Sequence, residues 1–138
     1  MVVADGQGLP LGEFVCSASP HESTLAEETV KNVFIPQGRK IKRLIADRAY
    51  DSEALRKRLA EMEIDLICPH RRNRKKPKLQ DGRKLRRYSK RWKIERFFAW
   101  LGAYRRLVVR WDRDPEIYSA FFHVACIMIL VRRLCNSF

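Results

Sequence analysis

The sequence predicts an α/β fold, and three observations carry that expectation. A strand-like run, Ile41 to Ala46, precedes a helical pattern with Leu55, Leu59 and Met62 on one face; a second strand-like run, Ile64 to Cys68, follows it. Strand, helix, strand in this space reads as a right-handed crossover between parallel strands. Upstream, two apolar runs flank Asp5-Gly6-Gln7-Gly8, the turn chemistry of a hairpin. Downstream, Ile94, Phe97, Phe98, Leu101, Tyr104, Leu107 and Val108 recur at spacings of three and four, a helical stripe that faces a core. With 138 residues and 46% apolar content, the chain is long enough for one domain with its own core. No internal repeat and no second-domain boundary is read.

In chain order, Met1 to Ala4 and Leu9 to Ser17 are the hairpin strands, which makes Asp5 a turn residue first. Thr24-x-x-Glu27 has the form of a capping box, and Leu25, Thr29, Val30 and Val33 then share a helix face that ends before Pro36. Asp47 stands at the carboxyl end of the next strand, where chemistry gathers in open α/β sheets. A helix cap, or a pair with Arg48, would account for it equally well. Asp51 or Ser52 caps the following helix. From about 70 to 87 the apolar content falls, Pro77 and Asp81-Gly82 interrupt the chain, and an exposed basic loop is expected. A helix from about 88 to 108 follows. Trp111 to Asp114 breaks the pattern. The last helix, about 115 to 135, starts with Pro115 at its first position and Asp114 as its cap. It is apolar nearly all round from Tyr118 to Leu130, so it is expected to be covered on most sides rather than to cross a membrane.

The formal net charge is +13. Between Arg71 and Lys93 there are thirteen Lys or Arg and one acid, Asp81, so that window carries +12 and the remainder is close to neutral. A positive block this concentrated points to a polyanion, with nucleic acid first and an anionic membrane second; a solvated charge run without a partner is the plainer alternative. Cys16, Cys68, Cys126 and Cys135 form no C-x-x-C pair, and the histidines have no zinc spacing. The N-terminus lacks the basic and long apolar regions of a signal peptide, so a cytoplasmic protein with reduced thiols is expected.

Within the basic-aromatic run Tyr88 to Gly102 there is one carboxylate, Glu95. On a helix, Tyr88, Arg91 and Glu95 fall within roughly 60° of one another, beside the apolar stripe. An intrahelical Arg91–Glu95 pair on a solvated face explains that spacing without chemistry. The alternative takes Glu95 together with Asp47. Two carboxylates beside a groove for a phosphate backbone suit two-metal phosphoryl transfer, in which hard Mg²⁺ or Mn²⁺ ions take oxygen ligands. No nucleophile with a partner base and no phosphate-binding glycine loop is read.

Several stretches resemble the bacterial insertion-sequence DDE transposases. Leu44-Ile-Ala-Asp-Arg-Ala-Tyr-Asp-Ser52 is similar to their second-aspartate motif. Arg91-x-x-x-Glu-Arg-Phe-Phe-Ala-Trp-Leu101, followed by Tyr104-Arg-Arg-Leu107, is similar to their glutamate motif, and Tyr88-x2-Arg91-x3-Glu95 fits the Tyr-Arg-Glu part of a Y-R-E-K signature. Asp5-Gly-Gln-Gly-Leu-Pro-Leu11 and Ser19-Pro-His-Glu-Ser23 resemble the stretch before the second aspartate. The resemblance implies an RNase H-like mixed sheet flanked by helices. It also implies an Asp-Asp-Glu triad with two divalent ions, and cleavage and joining of DNA at element ends and target. Asp47 would be the second acid and Glu95 the third, both binding metal; Tyr88 and Arg91 would orient Glu95 or contact DNA. Arg71, Arg72, Arg74, Lys75, Lys76, Lys78, Arg83, Lys84, Arg86 and Arg87 would grip the backbone without direct base readout.

The chain departs from that pattern twice. Gly102 stands where the signature lysine belongs, and the first aspartate is not visible. Asp5 follows an apolar strand, as the family's first aspartate does, but sits in a turn. The expectation is therefore the C-terminal part of one catalytic domain, 1–138, lacking its first strand and incomplete alone. It would be completed by the product of an upstream overlapping frame, or be a relic, with a homodimer and nucleoid association as further expectations. The competing reading is a non-catalytic DNA- or RNA-binding module acting through the basic loop.

Overall fold

The computed structural model describes residues 1–16, 21–35, 37–75, 77, 82–109, 111 and 113–135; nothing is said of the others, which include Pro36, Lys76, Lys78 and Asp81. Among the described residues the fold is mixed α/β, with two two-stranded sheets and helices. The described chain gathers into two compact units. The first is Met1–Val3 with Leu11–Trp92; the second is Ala4–Pro10 with Lys93–Phe138.

The hairpin forms as expected, from β1 (Val2–Ala4) and β2 (Pro10–Glu13). Met1 and Phe14 exchange reciprocal backbone bonds of 2.7 and 2.9 Å, the narrow pair of an antiparallel ladder. In the first unit Gly12 lies so close to the chain after α1 (Glu22–Lys31) that a Cβ there would meet Asn32 O and Val33 Cα at 2.8 Å. The helix begins earlier than the capping-box reading placed it. His21 is the cap, its ring nitrogen accepting from Ser23 N at 3.2 Å, and Thr24 lies inside the first turn with its hydroxyl bonded to His21 O. Glu27 turns instead to Lys31 and Arg58, 2.8 and 2.9 Å away. The imidazole offers an acceptor where a capping serine normally would, so the box is not needed.

β3 (Arg43–Ile45) and β4 (Asp65–Ile67) pair in parallel, Leu44 opposite Leu66, with α2 (Glu53–Glu61) between them in sequence. Ser52 caps α2 by accepting from Leu55 N. The core of this unit is Ala26, Val30, Leu55, Leu59, Ile64, Leu66 and Cys68, with Leu44, Ala46 and Tyr50 packed on it. Leu55 and Leu59 are wholly buried, each contributing about 1.5–3 kcal/mol.

The basic stretch is not wholly a loop. It contains a helical turn, α3 (Gly82–Leu85), and a 3-10 helix, Arg86–Arg91. The single helix expected from 88 to 108 is broken into that 3-10 segment, α4 (Trp92–Leu101) and α5 (Arg105–Val108), with Tyr104 extended between the last two. In the second unit the apolar stripe is buried only at Phe97 and Leu101; Phe98 and Val108 are exposed. Pro115 does open the last helix, α6 (Pro115–Cys135), and Asp114 caps it by accepting from Glu116 N at 2.9 Å. α6 is not covered on most sides. Phe122, Ala125, Cys126 and Ile129 are buried, while Ile117, Val124, Ile127, Met128, Val131 and Leu134 are exposed. Its near-uniform apolarity hid the direction of packing, because Ser119 and His123, the polar residues between Tyr118 and Leu130, are too few to mark an outer face.

Candidate functional site

Asp47 lies in the first unit, just past β3, and caps a single 3-10 turn, Arg48–Tyr50. Its Oδ1 accepts from Ala49 N at 2.8 Å, and the turn projects the carboxylate at the strand's carboxyl end. The side chain is half-buried, and a carboxylate's second oxygen is a hard donor suited to Mg²⁺.

Arg71, which reaches this turn, is anchored by a neighbour that the sequence reading treated only as a possible cap. Asp51 is nearly sealed from solvent, with 2% of its side chain exposed. It accepts from Arg56 Nη2 at 3.1 Å, Arg71 N at 3.0 Å and the His70 ring at 3.0 Å, and Arg74 Nη1 stands 3.7 Å away. Burial by itself would raise the Asp51 pKa, but the donors from Arg71, His70 and Arg56 outweigh it and hold the carboxyl below its ordinary range. Arg56 reaches on to Leu66 O and Cys68 O, tying α2 to β4. Burial pushes the Cys68 thiol up to about 11, so it is an inert packing group at neutral pH.

This hub places the start of the basic stretch. Arg71 Nη2 donates to Ala49 O at 2.9 Å, so Arg71 sits on the same turn that Asp47 caps. Arg74 pairs with Glu53 at 2.9 Å and is largely buried, and Lys84 pairs with Asp65 at 2.8 Å. Arg72, Lys75, Arg83, Arg86 and Arg87 are exposed; Lys76 and Lys78 fall outside the described residues. The Arg86–Arg91 helix packs beside β3, the strand that leads into Asp47. Three residues per turn put Tyr88 and Arg91 on one side of it, and the Arg91 guanidinium lies 5.7 Å from the Tyr88 ring centroid. The first unit thus sets Asp47 and Arg71 on one turn, with the segment that carries Tyr88 and Arg91 beside the strand that leads into it.

Glu95 belongs to the second unit, exposed in the first turn of α4. The residues flanking it seat the hairpin turn. Lys93 Nζ donates to Gly6 O, and Arg96 Nη2 donates to Gln7 O at 2.8 Å. Gly8, at φ +85°, brings the turn so close that a Cβ would meet Lys93 O at 2.9 Å. The Asp5 carboxylate closes this turn by accepting from Gln7 N and Leu9 N at 2.8 and 2.9 Å. Its observed work is therefore local. The Asp-Gly-Gln-Gly stretch steadies the helix that carries Glu95. A signal for that existed in the glycine at a left-handed position, but not in anything that named its partner.

Among the described residues no three His, Cys, Asp or Glu side chains gather where they could hold a metal ion. Asp47 and Glu95 have the right donor chemistry singly, and they lie in different units.

A family model, Transposase DDE domain, matches residues 1–130. The chain is 31% identical over 134 residues to a Burkholderia cepacia protein named "Putative transposase for insertion sequence element IS402", covering 93% of this chain and 60% of that protein. It is 33% identical over 90 residues to the protein of the same description for IS6501 from Brucella ovis, covering 64% of this chain and 67% of that one. The chain thus spans about 60% of the length of the Burkholderia relative. No solved structure matches it. With nearly its whole length matched by that one model, the chain belongs to the Transposase DDE domain family.

Proposed function

We propose that this chain carries catalytic residues of a metal-dependent DNA transposase, with Asp47 and Glu95 as the second and third acids of the Asp-Asp-Glu set. The observation that supports this most directly is local to the first unit. The turn capped by Asp47 also holds Arg71, and the strand entering it is flanked by the segment bearing Tyr88 and Arg91. Phosphate-binding cations then lie beside a carboxylate that a phosphoryl-transfer site needs.

In this reading the Asp47 and Glu95 carboxylates would be oxygen ligands for divalent Mg²⁺ or Mn²⁺, two ions being expected in a complete site, and the metal would supply charge neutralisation and activation of an attacking oxygen. Arg71, Arg72, Arg86 and Arg87 hold the DNA backbone at element ends and target. Arg91, whose guanidinium lies 5.7 Å from the Tyr88 ring centroid, would add a further cation for the phosphate backbone. Arg74 and Lys84, already paired with Glu53 and Asp65, shape the basic stretch.

The test is a Mn²⁺ titration followed by paramagnetic broadening, on the wild type, Asp47→Ala and Glu95→Ala. Weakened binding in both variants is expected. Unchanged metal affinity in both, with DNA binding intact, would favour the second reading, a nucleic-acid-binding module acting through its cations alone.

A further inference from the structure

The turn that Asp47 caps has little of its own to hold it. It is a single 3-10 turn, Arg48–Tyr50, with no buried residue, strung between the end of β3 and the start of α2. Its ends are fixed. Ala46 N donates to Ile67 O at 3.0 Å, which extends the pairing with β4, and Ser52 caps α2. Between those ends the backbone bonds are Tyr50 N to Asp47 O and Asp51 N to Arg48 O, both 3.2 Å, and Ser52 N to Tyr50 O at 2.8 Å. One turn of 3-10 geometry is weakly held by such bonds.

The remaining support comes from the chain that leaves β4. Ala49 is gripped from both sides: its N–H donates to Asp47 Oδ1 at 2.8 Å, and its C=O accepts from Arg71 Nη2 at 2.9 Å. Arg71 is fixed in turn at its own backbone, whose N–H donates to Asp51 Oδ2 at 3.0 Å. Asp51 ends the turn, and Arg56 and the His70 ring hold its other oxygen at 3.1 and 3.0 Å. A closed circuit results, from Asp47 through Ala49 and Arg71 to Asp51 and back along the turn. The backbone bond to Asp51 already tethers the start of the basic stretch. The return of the guanidinium to Ala49 is not needed for that anchoring; what it fixes is the turn.

We propose, on the reading of Asp47 as a metal ligand, that Arg71 is a positioning residue for that carboxylate. By holding Ala49 O it keeps Ala49 N–H where Asp47 Oδ1 accepts it, so the carboxylate is oriented before any ion arrives. A guanidinium has five N–H donors, so this bond does not prevent Arg71 from meeting a phosphate as well. The sign of the effect separates positioning from charge. A cation beside a carboxylate opposes the binding of a second cation there, so charge alone predicts tighter Mn²⁺ binding once Arg71 is removed. Positioning predicts weaker binding.

The experiment is a Mn²⁺ titration by paramagnetic broadening, together with amide hydrogen exchange by NMR, on the full chain as wild type, Arg71→Ala, Arg71→Lys and Asp47→Ala. Arg71 is exposed, so its variants should keep the fold, and unchanged exchange at the core residues Leu55 and Leu59 checks this. Asp47→Ala is expected to weaken Mn²⁺ binding. Arg71→Ala should weaken it about three- to tenfold, the worth of one hydrogen bond, and should speed exchange of the Ala49 N–H by a similar factor. Arg71→Lys keeps the charge and a donor of similar reach, and should stay within about twofold of wild type. Unchanged or tighter Mn²⁺ binding in Arg71→Ala, with Asp47→Ala weakened, overturns the positioning role and leaves the metal reading standing. Unchanged exchange at Ala49 overturns it too, as do equal losses in the alanine and lysine variants. If Asp47→Ala itself leaves Mn²⁺ affinity unchanged, the metal reading falls and the positioning role falls with it.

Discussion

Replacing Asp51 by alanine should unfold the first unit's chemistry from the inside. The carboxylate is 2% exposed and takes Arg56, the His70 ring and the Arg71 backbone N–H within 3.1 Å. The alanine leaves the Arg56 guanidinium, itself 14% exposed, with only carbonyl oxygens and a thiol for partners. Breaking one side of such a buried pair costs about 3–5 kcal/mol. For a chain of this size that lowers the melting temperature by about 10–15 °C. The same carboxyl gives the unit a pH signature. Its folded pKa is depressed, so its stabilisation is fully present above the unfolded value of about 3.9 and is lost as pH falls through the folded pKa. Urea unfolding followed by circular dichroism at neutral pH, and again between about pH 4 and pH 2, reads both effects. Asp51→Asn retains the shape and should lose stability at neutral pH while flattening part of the acid dependence. A cost of less than about 1 kcal/mol for Asp51→Ala, below the range for a buried pair, would refute the hub's role. An acid slope shared by wild type and Asp51→Asn would refute it equally.

Further outcomes follow from other positions. Arg86→Ala with Arg87→Ala should reduce the salt slope of DNA binding by about 1–2, whereas Arg74→Ala should leave the slope and lower stability; binding titrations across salt separate the two. Equal slope losses would show that Arg74 meets phosphate after all. Gly12→Ala forces a Cβ to within 2.8 Å of backbone at Asn32 and Val33 and should cost about 1–3 kcal/mol in a urea midpoint; a neutral result would mean the strand shifts freely. At neutral pH iodoacetamide should label exposed Cys16 long before buried Cys68, whose thiol is raised to about 11; mass spectrometry showing equal rates would contradict the packing around Arg56.

Much was legible along the chain because the signals are local. The Asp5 turn, the Ser52 cap, and Pro115 with Asp114 each depend on residues a few positions apart, and the parallel pairing of the strands around Leu44 and Leu66 follows from the strand-helix-strand order rather than from any one contact. The family motifs around Asp47 and Glu95 were visible for the same reason, and the family they resembled is the one the comparisons show. What the sequence did not decide involves partners far apart in it. Asp51 meets His70 and Arg71 across about twenty residues, and Lys93 meets Gly6 across 87, so no local pattern distinguishes these from ordinary caps and surface cations. The break of the 88–108 stripe at Tyr104 was hidden because helical spacing on either side of a kink continues to look helical. The exposure of one side of α6 was hidden too. Composition sets how apolar a helix is, but only the packing of Phe122 and Ile129 into the second unit decides which of its faces is left for something else.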